Sequence, residues 1–498
     1  MTAKVLFIGL DSADKALIQH WCAQGELPTL ARLLEKGTRA QTLNPPGLFV
    51  GAIWPSFYTG CSAARHGRFA YRQLIPGTYE TREMTTADIG GTPFWRHLSE
   101  AGKKVGIIDV PKSRLTRDIN GFHFVDWGTH DADFSVGFHG WPEELAEDIR
   151  HRYGTDPVGP CDRPGRGIPE FRDFTAALLD RVKRKGALSR ELLGKEDWDF
   201  FATVFGDPHC VGHQCWHIHD AGHPGHSREA ADALGDPLWK VYKALDAEVG
   251  KLIEAAGPEA KIFVLASHGM RPNYAATYFL DDILRGTSKS PKTRGAIYRV
   301  LNQAWEFLPL QVRDMLKPLQ NRVREDLLGG DRATRACFQI PNNGVYGGIR
   351  VNLKGREPNG TVSPGAELDA LYQQLIDQLS TLINPRTGEK LVRRLWRLDE
   401  WYGEGVVGEF PDFFVEWNRD SYIDSAEIPG KGVISVQTVS TRTGDHENEG
   451  LLFVDGCAAV AGEAIEQIRV EDLAPTFCRL LGVELAAYDG KPIEALLR

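Results

Sequence analysis

Five side chains that can bind a metal ion or transfer a proton follow one short apolar run, residues 200–205. This arrangement is typical of a buried strand that delivers polar groups at its end. His209 and His213 are four residues apart, so a helix that begins after Pro208 would place both imidazoles on one face, where they can share a metal ion. For a single histidine, an ordinary packed or surface role is the alternative. The five side chains are Asp207, His209, His213, His217 and His219.

We expect His217 and His219 to lie around the site or at the surface, because they alternate with apolar neighbours. Three further candidates border other apolar runs. Asp11 and His268 each come shortly after such a run, and His446 comes just before one. Open α/β sheets bind ligands outside the carboxyl ends of their strands, which favours a ligand-binding role for Asp11. For Asp11, a cap on the following helix is the alternative.

Apolar strands alternate with helical stretches along most of the chain. This alternation predicts an α/β fold with a doubly wound, mostly parallel central sheet and helices on both faces. The predicted strands include residues 4–10, 105–108, 200–205 and 261–266, and the predicted helices include residues 14–22, 28–36, 94–100 and 234–255.

Two stretches interrupt this alternation. Residues 141–186 are polar, helical in patches and rich in Gly and Pro around 154–167, which predicts an excursion from the core. Residues 284–335 carry an apolar stripe among many Arg and Lys residues, which predicts an inserted helical cap. The basic face of this cap is typical of a solvated surface, with an anion-gathering lid or an oligomer contact as alternatives. The core is therefore expected to comprise residues 1–283 and 336–498.

The composition argues against several classes of partner. A chain of 498 residues with a net charge of -9 and no basic block does not offer the positive footprint that nucleic acid requires. No apolar run approaches the roughly 20 residues of a membrane span. The eight cysteines form no CxxC pair, so we expect reduced thiols. Cys210 and Cys215 flank His213, and a role as soft metal ligands is the alternative for these two. No signal peptide precedes the first strand, so a cytoplasmic location is expected.

Several short motifs occur along the chain in a specific order and spacing. Together they resemble the alkaline phosphatase superfamily, in particular its type I phosphodiesterase/nucleotide pyrophosphatase-like branch. The resemblance implies an alkaline phosphatase-like fold with two metal ions, usually zinc, beside a Ser or Thr nucleophile at the strand ends. The motifs are W-P-S-F-Y-T-G-x5-H-G at 54–67, P-H-x3-H at 208–213, S-H-G-M at 267–270, G-D-H at 444–446 and D-L-A-P-T-x3-L-L-G at 472–482.

The resemblance also implies which residues bind the metal ions. His213 and His446 match ligands of one ion, with His209 at a position that aspartate usually holds. Asp11 and His268 match ligands of the other ion. One tight zinc site is therefore expected, and a second, weaker site is left open.

The chain departs from the family pattern at further positions. Ser267 stands where a second aspartate ligand is usual, and Val50 falls at the position of the nucleophile. Ser56 and Thr59 are hydroxyls near that position, but the pattern places both inside a helix, where packing is the expected role.

Without a Ser or Thr nucleophile at that position, the attacking group is expected to be a metal-bound water or an acceptor substrate. Three histidines around one zinc ion can lower the pKa of bound water to about 7, which provides a hydroxide. Asp207 and His268 are the groups expected to orient or deprotonate that water. The alternative for Asp207 is that it only begins the turn after the strand. This reaction would be a single displacement with inversion at phosphorus.

The resemblance implies a metal-dependent hydrolase that acts on a small anionic ester, namely a phosphate, phosphodiester, phosphonate or sulfate. The alternatives are a transferase and a member of the same superfamily that binds an anion without hydrolysing it. No nucleic acid or membrane partner is expected, and a homo-oligomer is left open.

Overall fold

The structure is a computed structural model, and it describes residues 3–128, 137–163, 165–274, 276–285, 331–342, 345–403, 408–430, 432–435, 442–457 and 464–497. The chain forms two compact units. The helical cap predicted at 284–335 lies outside the described residues, apart from 284–285 and 331–335. Unit 1 comprises Met1–Arg68, Thr85–Asn273 and Val439–Arg498, and unit 2 comprises Phe69–Met84 and Tyr274–Thr438.

The described residues include strands throughout the chain. In chain order they are β1 (Ala3–Leu10), β2 (Thr38–Thr42), β3 (Arg72–Leu74), β4 (Thr81–Glu83), β5 (Val105–Ile108), β6 (Gly121–Val125), β7 (His139–Trp141), β8 (Trp198–Phe205), β9 (Lys261–Ala266), β10 (Gly269–Pro272), β11 (Cys337–Ile340), β12 (Tyr346–Val351), β13 (Val392–Arg397), β14 (Phe413–Trp417), β15 (Ser425–Ile428), β16 (Gly432–Ser435), β17 (Gly444–Glu447), β18 (Gly450–Asp455) and β19 (Ala464–Ile468).

Helices connect most of these strands. In chain order they are α1 (Lys15–Ala23), α2 (Pro28–Lys36), α3 (Phe49–Thr59), α4 (Ala63–His66), α5 (Phe94–Glu100), α6 (Glu143–Tyr153), α7 (Ile168–Leu193), α8 (Asp207–His219), α9 (Arg228–Leu234), α10 (Pro237–Ala256), α11 (Leu280–Arg285), α12 (Ala366–Leu379), α13 (Asp399–Tyr402) and α14 (Leu473–Leu480). Among the described residues, none of these helices is both long and apolar enough to cross a bilayer.

Unit 1 is built on a nine-stranded sheet with the order β19-β2-β18-β9-β1-β8-β5-β6-β7. The neighbours are parallel except where β18 pairs with β2 and β9, and where β7 pairs with β6. The sheet is therefore mostly parallel, which confirms the fold predicted from the alternation of apolar strands and helices.

Both faces of this sheet are covered. Neighbouring residues of β1 point to opposite sides of the sheet, and each side packs against helices. Leu6 and Ile8 belong to a core that includes residues of α7, α8 and α10. Phe7 faces the other way and packs against Phe57 of α3, with ring centroids 4.5 Å apart, and against Phe477 of α14 at 5.8 Å. A strand buried on both sides explains why β1 is a continuous apolar run.

Helix α7 differs from the sequence-based expectation. Residues 141–186 were predicted to leave the core, whereas Phe174, Leu178 and Val182 are buried in the core of unit 1. These residues are four apart and line one face of a 26-residue helix. The prediction of an excursion was therefore wrong for this helix.

Unit 2 contains a four-stranded antiparallel sheet with the order β11-β12-β14-β13. Its core joins strand residues such as Ile349 and Val415 to Leu375 of α12 and Leu280 of α11. Two hairpins, β3-β4 and β15-β16, belong to the same unit. Unit 2 thus has a hydrophobic core of its own.

Candidate active site

Three neighbouring strands of unit 1 end at the same level. Leu10 of β1 pairs with Phe205 of β8 and with Ala266 of β9. Because the three strands are parallel, the chain that follows each of them enters the same region at one edge of the sheet. The polar residues that follow the three strands are Asp11, Ser12, Asp207, Ser267 and His268.

The structure brings together the three histidines assigned to one metal ion. His209 and His213 lie one turn apart on α8, and His446 lies on β17. Each offers a ring nitrogen, and these nitrogens all lie within 4.8 Å of one another. The Nε2 atoms of His209 and His213 are 3.2 Å apart. All three side chains are buried.

This three-histidine cluster fits a metal ion. His213 Nδ1–H donates a hydrogen bond to the carbonyl oxygen of Gly444 at 2.8 Å. A neutral His213 therefore carries its lone pair on Nε2, which faces His209. Metal-binding histidines ordinarily donate their second N–H in this way, and the bond fixes the ring.

The close approach of α8 and β17 depends on glycine at position 444. A Cβ on Gly444 would lie 2.3 Å from the carbonyl oxygen of Gly212, so a side chain there would push the strand away from the helix. The distance between His213 and His446 thus rests on a residue without a side chain.

The environment of His446 keeps its imidazole neutral. Burial lowers the pKa of His446 well below its ordinary value of 6.5, and the neighbouring His213 and His268 lower it further. Arg442 and Lys112 contribute in the same direction. A neutral imidazole is the form that binds a metal ion.

Asp11 lies beside this cluster, at the end of β1. Its Oδ1 atom accepts a hydrogen bond from Trp54 Nε1 at 2.9 Å and another from Ser267 Oγ at 3.3 Å. Asp14, rather than Asp11, caps α1 by accepting the backbone N–H of Leu17. The capping role considered for Asp11 is therefore excluded.

His268 joins Asp11 to the three-histidine cluster. Its Nδ1 atom is 3.0 Å from Ser267 Oγ, and its Nε2 atom is 2.9 Å from His446 Nδ1. Ser12 Oγ is 2.8 Å from the same Nε2 atom and 3.4 Å from His446 Nδ1. The two clusters of at least three potential metal ligands found among the described residues include neither Asp11 nor His268. Their assignment to a second ion stays a prediction.

Asp207 is placed at the start of α8, where its carboxylate pairs with Arg181. Arg181 Nε donates to Asp207 Oδ1 at 2.8 Å, and both side chains are fully buried. This contact gives Asp207 a structural role at the beginning of the helix. Its role in proton transfer stays a prediction.

The other two histidines of α8 lie at the end of the helix. His217 Nδ1 is 3.1 Å from Thr443 Oγ1, and His219 Nδ1 is 2.7 Å from Asp236 Oδ2. Burial, with smaller effects from His223 and His226, lowers the pKa of His217 to about 4.

Helix α3 holds the residues around the missing nucleophile. Val50 lies in its first turn, and Lys112 Nζ donates to the carbonyl oxygen of Val50 at 3.3 Å. Ser56 contacts His66, and Thr59 Oγ1 donates to the carbonyl oxygen of Pro55 at 2.7 Å. Both hydroxyls are thus engaged within or next to the helix.

A second group of ligand atoms joins His209 to two thiols, Cys161 and Cys210. A hydrogen bond between the two thiols and burial raise the pKa of Cys161 far above its ordinary value, so the thiol stays protonated. Arg181 also donates to Cys210 Sγ at 3.2 Å, which places a cation where a metal ion would have to bind. This group therefore fits buried thiols better than a metal site.

Ser12 is the residue of this region that the sequence did not single out. The available signal was its position directly after Asp11, at the end of a buried strand. Its contact with His268 depends on the pairing of β1 with β9, which the order of residues along the chain does not reveal.

Several solved structures share this fold, whereas no curated protein sequence matches the chain significantly. Phosphonoacetate hydrolase from Sinorhizobium meliloti, in complex with phosphonoacetate, is 15% identical with a TM-score of 0.52, over 97% of this chain and 96% of that chain. The structure of the same enzyme in complex with phosphonoformate is 14% identical to this chain, with a TM-score of 0.50 and the same coverage of both chains. Human ectonucleotide pyrophosphatase / phosphodiesterase 5 is 12% identical with a TM-score of 0.49, over 98% of this chain and 97% of that chain. At such identities the hydrolase structures show the fold alone.

The family comparison covers most of the sequence. Residues 5–423 match the type I phosphodiesterase / nucleotide pyrophosphatase family, whose members are phosphoester hydrolases. The match confirms the resemblance that the ordered motifs predicted. The chain therefore belongs to the type I phosphodiesterase / nucleotide pyrophosphatase family, within the alkaline phosphatase superfamily.

Proposed function

We propose that this chain is a metal-dependent hydrolase of small phosphodiesters or related phosphonate esters. The observation that carries the proposal is the convergence of His209, His213 and His446 at the strand ends of an alkaline phosphatase-like sheet. Family membership supports phosphoester chemistry, and the buried imidazoles support a metal site. Eight free thiols suit the reducing cytoplasm, where we place the enzyme.

The three histidines are proposed to hold one zinc ion, since imidazole nitrogens are common zinc ligands. When bound, zinc would polarise the phosphoryl group and acidify a water molecule. Burial of the histidines keeps bulk water away and strengthens the electrostatic interactions in the site. The ion is expected to be held more tightly here than at Asp11 and His268, because Asp11 already accepts hydrogen bonds from Trp54 and Ser267.

Lys112 is proposed to help bind the anionic substrate. Its side chain lies beside the first turn of α3, and its charge makes a small contribution to the lowered pKa of His446, after burial and the neighbouring His213, His268 and Arg442. A lysine near the three histidines adds positive charge that attracts a phosphodiester anion. His268 is proposed to transfer the proton, because its Nε2 atom faces the interior of the site.

The proposal is tested with the metal-free protein reloaded with zinc, manganese or magnesium. Bis(p-nitrophenyl) phosphate, p-nitrophenyl phosphate, p-nitrophenyl sulfate and phosphonoacetate are offered as substrates. We expect zinc-dependent hydrolysis of the diester, and loss of that activity in His213→Ala. Binding of zinc without turnover of any of these substrates would contradict the proposal and favour an anion-binding protein.

A further inference from the structure

Asn44 lies at the start of the loop that leads from β2 to α3, and its side chain is fully buried. Pro45 and Pro46 follow it, and Leu48 donates its backbone N–H to the carbonyl oxygen of Pro45 at 3.2 Å before α3 begins. Because proline fixes the backbone angle φ, these residues restrict the conformation of the loop. None of the ordered motifs along the chain includes Asn44.

The amide of Asn44 joins two segments that are far away in the sequence. Asn44 Nδ2 donates to the carbonyl oxygen of Asn448 at 2.7 Å and to the carbonyl oxygen of Ser267 at 3.3 Å. An amide NH₂ group carries two protons, so these two bonds use its full capacity as a donor. One side chain therefore ties the loop before α3 to the end of β9 and to the turn between β17 and β18.

Each of these two segments carries a histidine of the candidate site. Ser267 directly precedes His268, and Asn448 follows His446 by two residues. His268 Nε2 is 2.9 Å from His446 Nδ1, so the two imidazoles meet where the segments come together. Asn44 thus restrains the backbone on both sides of this contact.

A second connection runs from Asn44 through its own loop. Phe49 is the first residue of α3, and its ring packs edge-on against His268 with the ring centroids 5.7 Å apart. Phe49 is buried as well. The loop that Asn44 anchors therefore places an aromatic ring against one of the two histidines.

The two segments pack closely against each other. A Cβ on Gly450 would lie 2.4 Å from the carbonyl oxygen of Ala266 and 2.5 Å from that of Ser267. The turn that follows His446 therefore runs directly against the end of β9, and this close approach requires glycine. It also explains how a side chain as short as that of Asn44 reaches a carbonyl oxygen in each segment.

The oxygen of the same amide argues against a role in packing alone. Asn44 Oδ1 is buried and has no hydrogen-bond partner among the described residues. Burial of an amide oxygen without a partner destabilises a fold, so an apolar residue would serve packing better. The orientation of the amide follows from the two carbonyl oxygens, because only its nitrogen can donate to them.

We propose that Asn44 is a positioning residue for phosphoester hydrolysis, because it holds the segments of His268 and His446 at a fixed spacing. The inference rests on the proposed function, in which His446 binds the zinc ion and His268 transfers a proton. Asn44 acts through the backbone of these segments, so its loss should displace both imidazoles without removing either of them.

Two variants of Asn44 test this inference. Asn44→Asp keeps the size of the side chain but turns a carboxylate oxygen towards two carbonyl oxygens. We expect zinc affinity, measured by competition with a chelator, to fall by about tenfold. At saturating zinc, kcat for bis(p-nitrophenyl) phosphate should fall by about a hundredfold, with a smaller change in KM. Asn44→Ala removes both donors without adding a charge, and it should show the same pattern to a smaller extent.

Asn352 provides the matched control in unit 2. Its side chain is equally buried, and its Nδ2 atom also donates to two carbonyl oxygens, those of Arg335 at 2.9 Å and Ala333 at 3.4 Å. Asn352→Asp and Asn352→Ala should lower the resistance to urea but leave zinc affinity and kcat at the wild-type values. The comparison separates the positioning of the site from a general loss of stability.

Zinc affinity and kcat within threefold of the wild type in the Asn44 variants would overturn the inference. Equal losses in the Asn352 variants would overturn it as well. If Asn44→Asp did not fold, Asn44→Ala would decide by the same measurements. A wild type that binds zinc but hydrolyses none of the substrates would overturn the proposed function. Zinc affinity would then decide the inference alone: a loss confined to the Asn44 variants supports the positioning of His446, and unchanged affinity overturns it.

Discussion

Histidine at position 209 would change the charge that the proposed metal site offers to an ion. By the family resemblance, aspartate is usual there, and a carboxylate would cancel part of the positive charge of the ion. The three imidazoles at 209, 213 and 446 would be neutral as ligands, so the proposed ion would keep its full charge for an anionic ester. Lys112 adds a further positive charge near His446. This charge supports the proposed binding of a phosphodiester anion.

Replacement of His213 by alanine tests the metal site directly. His213 loses both its Nε2 ligand atom and the hydrogen bond to Gly444 in this variant, so we expect bound zinc, measured by elemental analysis, to fall from about one per chain to near zero. His217→Ala is the matched control, since His217 lies one turn further along α8 and contacts Thr443 instead. Equal zinc content in wild type and His213→Ala would show that the three histidines are not the ligands.

Replacement of Asp207, which pairs with Arg181, tests whether Asp207 has a structural or a catalytic role. Asp207→Asn leaves a fully buried guanidinium without its 2.8 Å carboxylate partner. We therefore expect the free energy of unfolding to fall by about 3 kcal/mol, measured by urea denaturation. A variant that is as stable as the wild type but has lost its activity would instead support proton transfer by Asp207.

Glu471 makes the stability of the protein depend on pH. Burial raises the pKa of Glu471 from 4.5 to about 7. Between pH 4.5 and 7 the unfolded chain gives up this proton while the folded chain keeps it, so this group destabilises the fold progressively as the pH rises through that range. Glu471→Gln should remove this contribution, which amounts to at most about 3 kcal/mol. Urea denaturation at pH 5 and pH 8 checks it, and an identical pH dependence in both proteins would contradict the assignment.

At the scale of elements, the contact between α8 and β17 sets the spacing of the proposed metal ligands. Gly444→Ala places a Cβ 2.3 Å from the carbonyl oxygen of Gly212, so the strand must move and carry His446 with it. We expect zinc affinity to fall by at least about tenfold, because ligand positions are fixed to within a fraction of an ångström.

Gly194→Ala is the control for this substitution. Gly194 has an ordinary φ of -78° at the end of α7, and the nearest atom to a Cβ there is at 3.4 Å. Zinc affinity measured by competition with a chelator should be unchanged in this control. Unchanged affinity in Gly444→Ala would mean that the strand can shift without moving the site.

The elements that the sequence predicted most accurately carry local signals. The predicted bounds of α2 agree with the structure because Pro28 begins the helix and Gly37 follows its end. Helix α7 was missed because its buried face carries Arg181 and Lys185, which are expected at a surface. In the fold these cations pair with Asp207 and Asp109, at 2.8 and 2.6 Å. A pattern of charges does not reveal partners that lie far away in the sequence.

The candidate site was also predictable where its residues are close together in the sequence. The spacing of His209 and His213 identified two members of the three-histidine cluster, because both lie on one helix. The contact of Ser12 with His268 needs the pairing of β1 with β9, which only a folded structure displays. Residues that act through neighbours on other strands are therefore the part of a site that sequence patterns leave out.

At the scale of the whole molecule, the two units have separate hydrophobic cores. The core of unit 1 includes Leu6, Val182 and Val241, and that of unit 2 includes Ile349 and Val415. All the residues of the candidate metal site belong to unit 1. Binding of an ion should therefore stabilise one core only.

Thermal unfolding with and without zinc tests this separation. Two transitions are expected, because each unit buries a core of its own. Free zinc at one hundred times its dissociation constant stabilises the folded form that binds it by about 2.7 kcal/mol, so the transition of unit 1 should rise by several degrees while that of unit 2 stays in place. His213→Ala should abolish the zinc-dependent rise and leave both transitions otherwise visible by calorimetry. If zinc raised both transitions equally in the wild type, the two units would unfold as one, and the stabilising effect of the ion would not be confined to the core that holds the histidines.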